Sequence, residues 1–539
     1  LDFQALLYAA HIGAVVGSRN GVFDMPRKRA VRLFTMLTYA CAGSCALADD
    51  LLVPAQYPTI QAAIDASVDG DVILVSAGTY APITILGKDL TIRGVDGAAV
   101  TTIDGGGTQV LINQSGNTFV TYEQLTFANG SGTSGVYTSG IGNDDFSFVD
   151  CAFVNNTGTI AGVTHQPVRD SSMIRCTFVG NSGDDAGAIR VRALSNSDDG
   201  LDIIDCVFDA NTSSEGAGAL QYFASNTNVT HRVIGSTFMN NSGVTSGAIT
   251  HSLEGTVLDD CQFIMNTATT GAGAINAIEG LTITNSTFTG NHTDINGGGV
   301  FIGTDSSITG SSIIGNTALG NGGGVAMGSG GMVAGCTIED NDAAGNGGGL
   351  WTDQTIEIQN TSFTGNIAGA NGGGAWIGGN GATLTDCPFT LNTAAGTGGG
   401  AHIEELTAVL VRCDMNENQA GTEGGGFYIQ SAGVAVYSDS ALCDNTPDEF
   451  NYTGSLIASD LSGCGITGDP VGAVCLPDGG CAVLTEAVAV AIGGTYLGDG
   501  TDCSTAVCEQ PCVADLNNDG LLNFFDVSVF LSAYGAGCP

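Results

Sequence analysis

The chain has 539 residues with 54 acids against 13 lysines and arginines, a net charge of −41. Charge of that sign repels phosphate backbones and anionic lipid, which excludes nucleic acid and acidic membrane surfaces as partners. After the N-terminal leader no apolar run reaches the roughly 18 residues of a membrane span, so no transmembrane segment is expected.

Residues 1–24 carry no periodicity, as expected of an upstream start or an over-extended reading frame ahead of Met25. From there Arg27-Lys28-Arg29 and Arg32 precede an apolar stretch from Leu33 to Leu37 and a run of small residues. Ala46-Leu47-Ala48 then has the small-x-small form of a secretory cleavage site. A lipid anchor through Cys41 or Cys45 fits less well, because neither has leucine three residues ahead. Cleavage near Ala48 would place the protein outside the cytoplasm, secreted or on the cell surface. It would leave 52 acids and 8 bases, a net charge of −44. Such a surface suits divalent cations or solubility in a saline habitat.

Next comes Val53-Pro54, then Tyr57-Pro58-Thr59-Ile60-Gln61-Ala62-Ala63-Ile64-Asp65, Gly70-Asp71-Val72-Ile73-Leu74-Val75 and Gly78-Thr79-Tyr80. This stretch resembles the N-terminal entry of the pectin-lyase-like right-handed β-helix proteins. The resemblance implies a short helix, with Ile60, Ala63 and Ile64 on one face, that caps the open end of a solenoid whose first coil starts at Asp71 to Val75. A cap is physically required, since an uncovered coil presents unpaired backbone groups. The fold it implies hosts lyases, hydrolases, adhesins and tailspikes, so it fixes no activity.

The middle of the chain is periodic. Asparagine returns at 156, 181, 211, 241, 266, 291, 316, 341, 366, 392, 418 and 445, at intervals of 25 to 30 residues. Three residues before each stands an apolar side chain, among them Phe153, Phe178, Phe208, Phe238, Phe263 and Phe288, and a glycine cluster follows, clearest at Gly297-Gly298-Gly299. A short, β-rich, glycine-punctuated unit of this period with no helical spacing predicts coils of a parallel β-helix. Strands stack about 4.8 Å apart, so equivalent residues should form ladders, and twelve coils make a rod on the order of 60 Å long. The asparagines should pair their amides coil to coil, and asparagine also tolerates left-handed turn geometry. Phe-x-x-Asn with the glycine clusters also resembles the repeats of chlamydial polymorphic outer-membrane proteins, which are adhesins. Cys151, Cys176, Cys206, Cys261, Cys336, Cys387 and Cys413 share a column with Ser236, Ser286, Ser311 and Thr361, which predicts buried thiols and no disulfide framework.

Two places on the coils invite a functional reading. Five of the eight bases after the leader fall between 169 and 232: Arg169, Arg175, Arg190, Arg192 and Arg232. With Ile189 and Val191 inward, Arg190 and Arg192 should point out, near Asp184, Asp185, Asp198, Asp199, His165 and Gln221. An arginine base with paired carboxylates would suit β-elimination on an acidic sugar; the bland reading is charge neutralisation on an acidic surface. The Asn-Thr-Asp, Gly-His-Gly and Arg-x-Lys signatures of pectin-degrading relatives are missing, which argues against a standard pectinase. The second place is an outward column, Phe301, Ala326, Trp351, Trp376, His402, Tyr428, with Asp353 and Glu404 two residues on. Both tryptophans of the chain lie in it. Exposed aromatic faces stack on sugar rings and neighbouring acids accept hydroxyl hydrogen bonds; the competing reading is that the rings stack on each other or lie under a loop.

Beyond the coils, Cys475, Cys481, Cys503, Cys508, Cys512 and Cys538 form a tail in which export permits disulfides, and Cys443 with Cys464 is a candidate pair near the last coil. Asp515, Asn517, Asp519, the Leu521 carbonyl, Asn523 and Asp526 have the oxygen spacing of a calcium loop, with Gly520 at its sharp turn and a helix leaving from Phe524 to Tyr534. The loop is similar to one calcium repeat of a type I dockerin, which implies Ca²⁺ and a cohesin-like or cell-envelope partner. Dockerins carry two repeats and this chain has one. The Pro477-to-Cys512 segment resembles a Cys-rich module found beside such repeats in secreted planctomycete proteins.

The expected organisation is therefore a leader (1–48), an all-β, right-handed parallel β-helix solenoid with an N-terminal capping helix (49–465), a Cys-rich module (466–512) and an EF-hand-like calcium repeat (513–539). The expected function is binding of polysaccharide or a cell-surface glycan, as a monomeric adhesin-like protein. A polysaccharide lyase or glycoside hydrolase centred on Arg190 and Arg192 is the alternative, and a structural surface rod the third reading.

Overall fold

A computed structural model describes residues 49–503 except 114–118, 140–144, 167–170, 194–199, 225–230, 252–254, 380–381, 405–406, 431–433, 439, 453–454, 460–461, 464–470, 476–480, 486–488, 490–494 and 499–500. The leader, Arg169, Asp198, Asp199, Cys464 and the calcium loop lie outside the described residues. The chain divides into two units, 1–49 and 50–539, and everything below concerns the second.

That unit is an all-β parallel solenoid. One coil shows the plan: Leu281–Thr284, Thr287–Thr289, His292–Thr293 and Val300–Thr304 are four successive strands. Each pairs in parallel with its equivalent in the next coil, at Ile283 with Ile308, Phe288 with Ile313, Thr293 with Ala318 and Val300 with Val325. Among the described residues, repetition gives four solenoid sheets, of 17, 16, 11 and 15 strands in the order the coil meets them. Alternation fixes the faces, because successive side chains of a strand point to opposite sides. The inward set, Ile283, Phe288, Val300 and Ile302, is fully buried.

The inward phenylalanines form the expected stack. Phe153, Phe178, Phe208, Phe238, Phe263 and Phe288 follow one another at centroid distances of 4.4 to 5.0 Å with nearly parallel planes. Each asparagine of the ladder is buried and bonds the next. Asn291 Nδ2 donates to Asn316 Oδ1 at 2.9 Å, Asn291 N donates to the same oxygen at 2.9 Å, and Asn316 Nδ2 donates to the Phe288 carbonyl at 3.0 Å. The left-handed turn falls one residue before the ladder asparagine, at Asn155, Ala210, Asn240, Met265, Asp340 and Leu391, with glycine at that place in other coils. The ladder asparagine itself must keep its amide in line with the axis, so its predecessor takes the strained φ. The glycine clusters follow from close approach: a Cβ on Gly323 would lie 2.4 Å from the Gly348 carbonyl oxygen of the next coil.

The cysteine column is buried and its thiols are free. Each thiol sits where serine sits in other coils. Cys206 Sγ donates to the Met173 carbonyl at 3.3 Å, and the Cys206 amide donates to Ser236 Oγ at 3.1 Å. Burial pushes the Cys261 thiol up to about 12, so that thiol stays protonated, and the column serves as hydrogen-bonding filler for a narrow corner.

The N-terminal cap is the helix Ile60–Ala66, with Ile60, Ala63 and Ile64 buried and Thr59 accepting from the Ala62 amide as N-cap. The solenoid starts earlier than Asp71. Asp50–Val53, before the helix, already pairs in parallel with Val72–Val75. Lys88, the single lysine after the leader, closes the other helix end, donating to the carbonyls of Ile64 at 2.6 Å and Ser67 at 2.7 Å. Beyond the coils, Val471–Cys475 pairs antiparallel with both Cys481–Thr485 and Thr495–Tyr496. Cys481 is bonded to Cys503, and Cys443 and Cys475 are each in a disulfide.

Candidate functional site

The two places singled out in the sequence lie on one outward column of the fourth sheet. Its register runs Arg190, Gln221, Thr250, Asn276, Phe301, Ala326, Trp351, Trp376, His402, Tyr428. Six rungs separate Arg190 from Trp351, about 29 Å at the strand spacing, so they belong to one face but not to one pocket.

At the Arg190 end the charges are matched locally. Arg190 meets Asp185 at 3.1 Å, both mostly covered. Asp184 turns elsewhere: its carboxylate accepts from Ser214 Oγ at 2.9 Å, and its carbonyl accepts from Ser213 Oγ at 2.5 Å. Gln221 accepts from the Ala217 amide at 3.2 Å and is buried. Arg175 grips Asp150 of the preceding coil at 2.7 and 2.8 Å. Arg232 grips the buried Asp202 at 2.9 and 2.6 Å. Arg192 and His165 are on strands in register with Phe223 and Arg190. A guanidinium is a fixed positive charge at ordinary pH, and that of Arg190 is already spent on Asp185.

The aromatic end is a continuous stack. Trp351 and Trp376 lie 5.8 Å apart and 11° from parallel, Trp376 and His402 6.2 Å, and His402 and Tyr428 5.2 Å. The rings therefore cover one another's faces, and Trp376, His402 and Tyr428 are buried at 8%, 2% and 9% exposure. Trp351, at the open end of the stack beside Ala326, is half-buried. Gly378 makes room for the indole of Trp376, since a Cβ there would lie 2.5 Å from its Cη2. Burial holds the His402 imidazole down to about 4, so it is neutral in the stack, with Nδ1 2.7 Å from Thr397 Oγ1.

Carboxylates border this ring column. Asp353 and Glu404 are exposed and occupy alternate rungs with Gly378 between them, as the amides of Gly378 and Glu404 donating to the Thr352 and Ile377 carbonyls show. On the other side runs a second asparagine ladder that sequence reasoning missed. The amides of Asn321, Asn346, Asn371 and Thr397 donate to the side-chain oxygens of Asn296, Asn321, Asn346 and Asn371 at 2.7 to 3.0 Å. Its signal was legible, an asparagine before each of the four glycine triplets between Gly297 and Gly374, at intervals of 25 residues. Exposed Glu423 takes the next place in that row.

A polar group also sits inside the solenoid, which no motif announced. His231 and His251 are fully buried and flank the Tyr222 ring at 4.7 and 5.6 Å. His231 Nδ1 accepts from the Leu201 amide at 3.0 Å, and His251 Nε2 lies 2.6 Å from Thr256 Oγ1. Burial lowers His231 to about 4 and His251 to about 3. Among the described residues no group of three or more histidines, cysteines or acids is arranged to hold a metal, and no helix is long and apolar enough to cross a membrane.

No family model and no curated protein matches the chain. Solved structures resemble it at low similarity. A PL6 alginate lyase in complex with a trisaccharide is 12% identical over 86% of this chain and 94% of that one, with a TM-score of 0.33. The periplasmic alginate epimerase AlgG is 10% identical over 73% and 77%, at 0.32. The A-module of the Azotobacter vinelandii mannuronan C-5 epimerase AlgE6 is 14% identical over 74% and 94%, at 0.26.

Proposed function

We propose that this is an exported β-solenoid that binds polysaccharide along the outward column of its fourth sheet, with Trp351 as the anchoring ring. One observation carries the reading: four stacked rings, in register on one face, end in a half-buried indole and are bordered by exposed Asp353 and Glu404. An amphipathic ring with one accessible face beside hydroxyl-accepting carboxylates is the chemistry of sugar recognition. In this reading Trp376, His402 and Tyr428 stiffen the platform, and the tail binds Ca²⁺ through Asp515, Asn517, Asp519, Leu521, Asn523 and Asp526 to engage an envelope or cohesin-like protein.

The test is retention of the exported protein on a panel of neutral, acidic and amino polysaccharides, with calcium and with chelator, scored also for unsaturated or reducing-end products. Retention that Trp351→Ala removes without changing the folded spectrum supports binding. Product formation would replace it with a lyase or hydrolase using Arg190, Arg192, Asp184 and Asp185. The mutual covering of the ring faces favours a second reading, a structural rod, for which neither retention nor product is expected.

A further inference from the structure

We infer that the glycan bound on this face carries ammonium groups, as a polymer of amino sugars does, and is not a uronate polymer. The inference rests on the binding reading above and specifies its ligand. It follows from where the positive charge of the molecule has gone. Arg93 is paired with Glu123, Arg175 with Asp150, Arg190 with Asp185, Arg232 with Asp202 and Arg412 with Asp386. Lys88 is consumed by the carbonyls at the end of the capping helix. So every lysine or arginine whose side chain is described already has an anionic or carbonyl partner, and a polyanion would have to displace one of them.

The ring column has the opposite character. Asp353 and Glu404 on one flank and Glu423 on the other are exposed. Arg412, paired with Asp386, is in these coils but follows the strand Thr407–Val411 of the first sheet, and none of the paired arginines lies on the fourth-sheet strands from Trp351 to Tyr428. Asp353 and Glu404 are two rungs apart, about 10 Å at the strand spacing, comparable with the length of two sugar rings in an extended chain. A glycan lying along the axis with its ring on Trp351 would bring alternate residues to alternate carboxylates. An ammonium at that position makes a charge-assisted hydrogen bond, roughly twice as strong as a neutral one, whereas a uronate carboxylate there meets like charge.

The experiment compares β-linked glucosamine oligosaccharides, their N-acetylated counterparts and a polyuronate on the exported protein near neutral pH, together with the Asp353→Asn/Glu404→Gln double variant. Both carboxylates are exposed, so the variant should fold as the parent does. Glucosamine oligomers are expected to bind at least tenfold more tightly than the acetylated ones. The double variant should lose at least tenfold of that affinity although nearly all of the protein's negative charge remains. Equal affinity for acetylated and free-amine oligomers, retention of the polyuronate with or without calcium, or unchanged affinity in the variant would each overturn the inference while leaving glycan binding intact. Failure of every glycan to bind would remove both.

Discussion

Replacing Asn316 by alanine tests the asparagine ladder where it is most regular. The side chain makes four hydrogen bonds: Oδ1 accepts from the Asn291 amide and from Asn291 Nδ2 at 2.9 Å each, and Nδ2 donates to the Phe288 carbonyl and to Asn341 Oδ1 at 3.0 Å. Two neighbours keep another partner, since Asn291 Nδ2 also donates to the Phe263 carbonyl and Asn341 Oδ1 also accepts the Asn316 amide. The Asn291 amide loses its partner in a buried setting, whereas the Phe288 carbonyl belongs to a strand paired in parallel with Ser312–Ile314 of the next coil. An unsatisfied buried polar group costs about 1–3 kcal/mol, so Asn316→Ala should destabilise by about 2 kcal/mol. Asn316→Asp conserves volume but sets a carboxylate oxygen against the Phe288 carbonyl and Asn341 Oδ1, so it should cost at least as much. Guanidinium denaturation gives the midpoint, and hydrogen exchange at the Asn291 amide gives the local effect. If Ala costs less than about 1 kcal/mol and Asp is nearly silent, packing volume rather than the amide ladder holds the coils together.

Three further outcomes are expected. Lys88→Met should loosen the N-terminal cap by about 2 kcal/mol, the scale of hydrogen bonds to a charged group, seen as faster amide exchange over the helix Ile60–Ala66 with the central coils unchanged. Acid should destabilise the solenoid through its buried histidines. His231, His251 and His402 are held at about 4, 3 and 4 when folded against about 6.5 when unfolded, so the unfolded chain binds more protons below pH 6.5. Their contribution is complete above that pH and falls as pH drops toward 4 and 3, and a His231→Gln/His251→Gln double variant should flatten the slope of melting temperature against pH in this window. Gly378→Ala should displace the Trp376 indole, since the new methyl would lie 2.5 Å from Cη2; an unchanged near-ultraviolet dichroism of the tryptophan pair would contradict the observed packing.

The sequence by itself determined the coil. A ladder residue must recur once per turn, so Asn156 to Asn445, the inward phenylalanines and the serine-exchanging cysteines were readable as columns before any coordinates, and the capping helix could be placed from one apolar face. The same logic put Arg190 and both tryptophans outside. Period could not say which residue of each corner carries the left-handed turn, because glycine, asparagine, methionine and leucine all occupy that place once the neighbouring ladder holds it. Nor could it say how far an outward side chain is covered. Trp376, His402 and Tyr428 are buried by one another and by the glycine-turn row beside them, and that depends on rings from three coils adopting one tilt. Ion pairing was likewise beyond the sequence: Arg190 joins Asp185 of its own coil, while Arg175, Arg232 and Arg412 reach acids of the coil before, 25 to 30 residues away. Periodicity is a property of the chain, but which atoms face water, and which charges are already spent, is decided only when the coils stack.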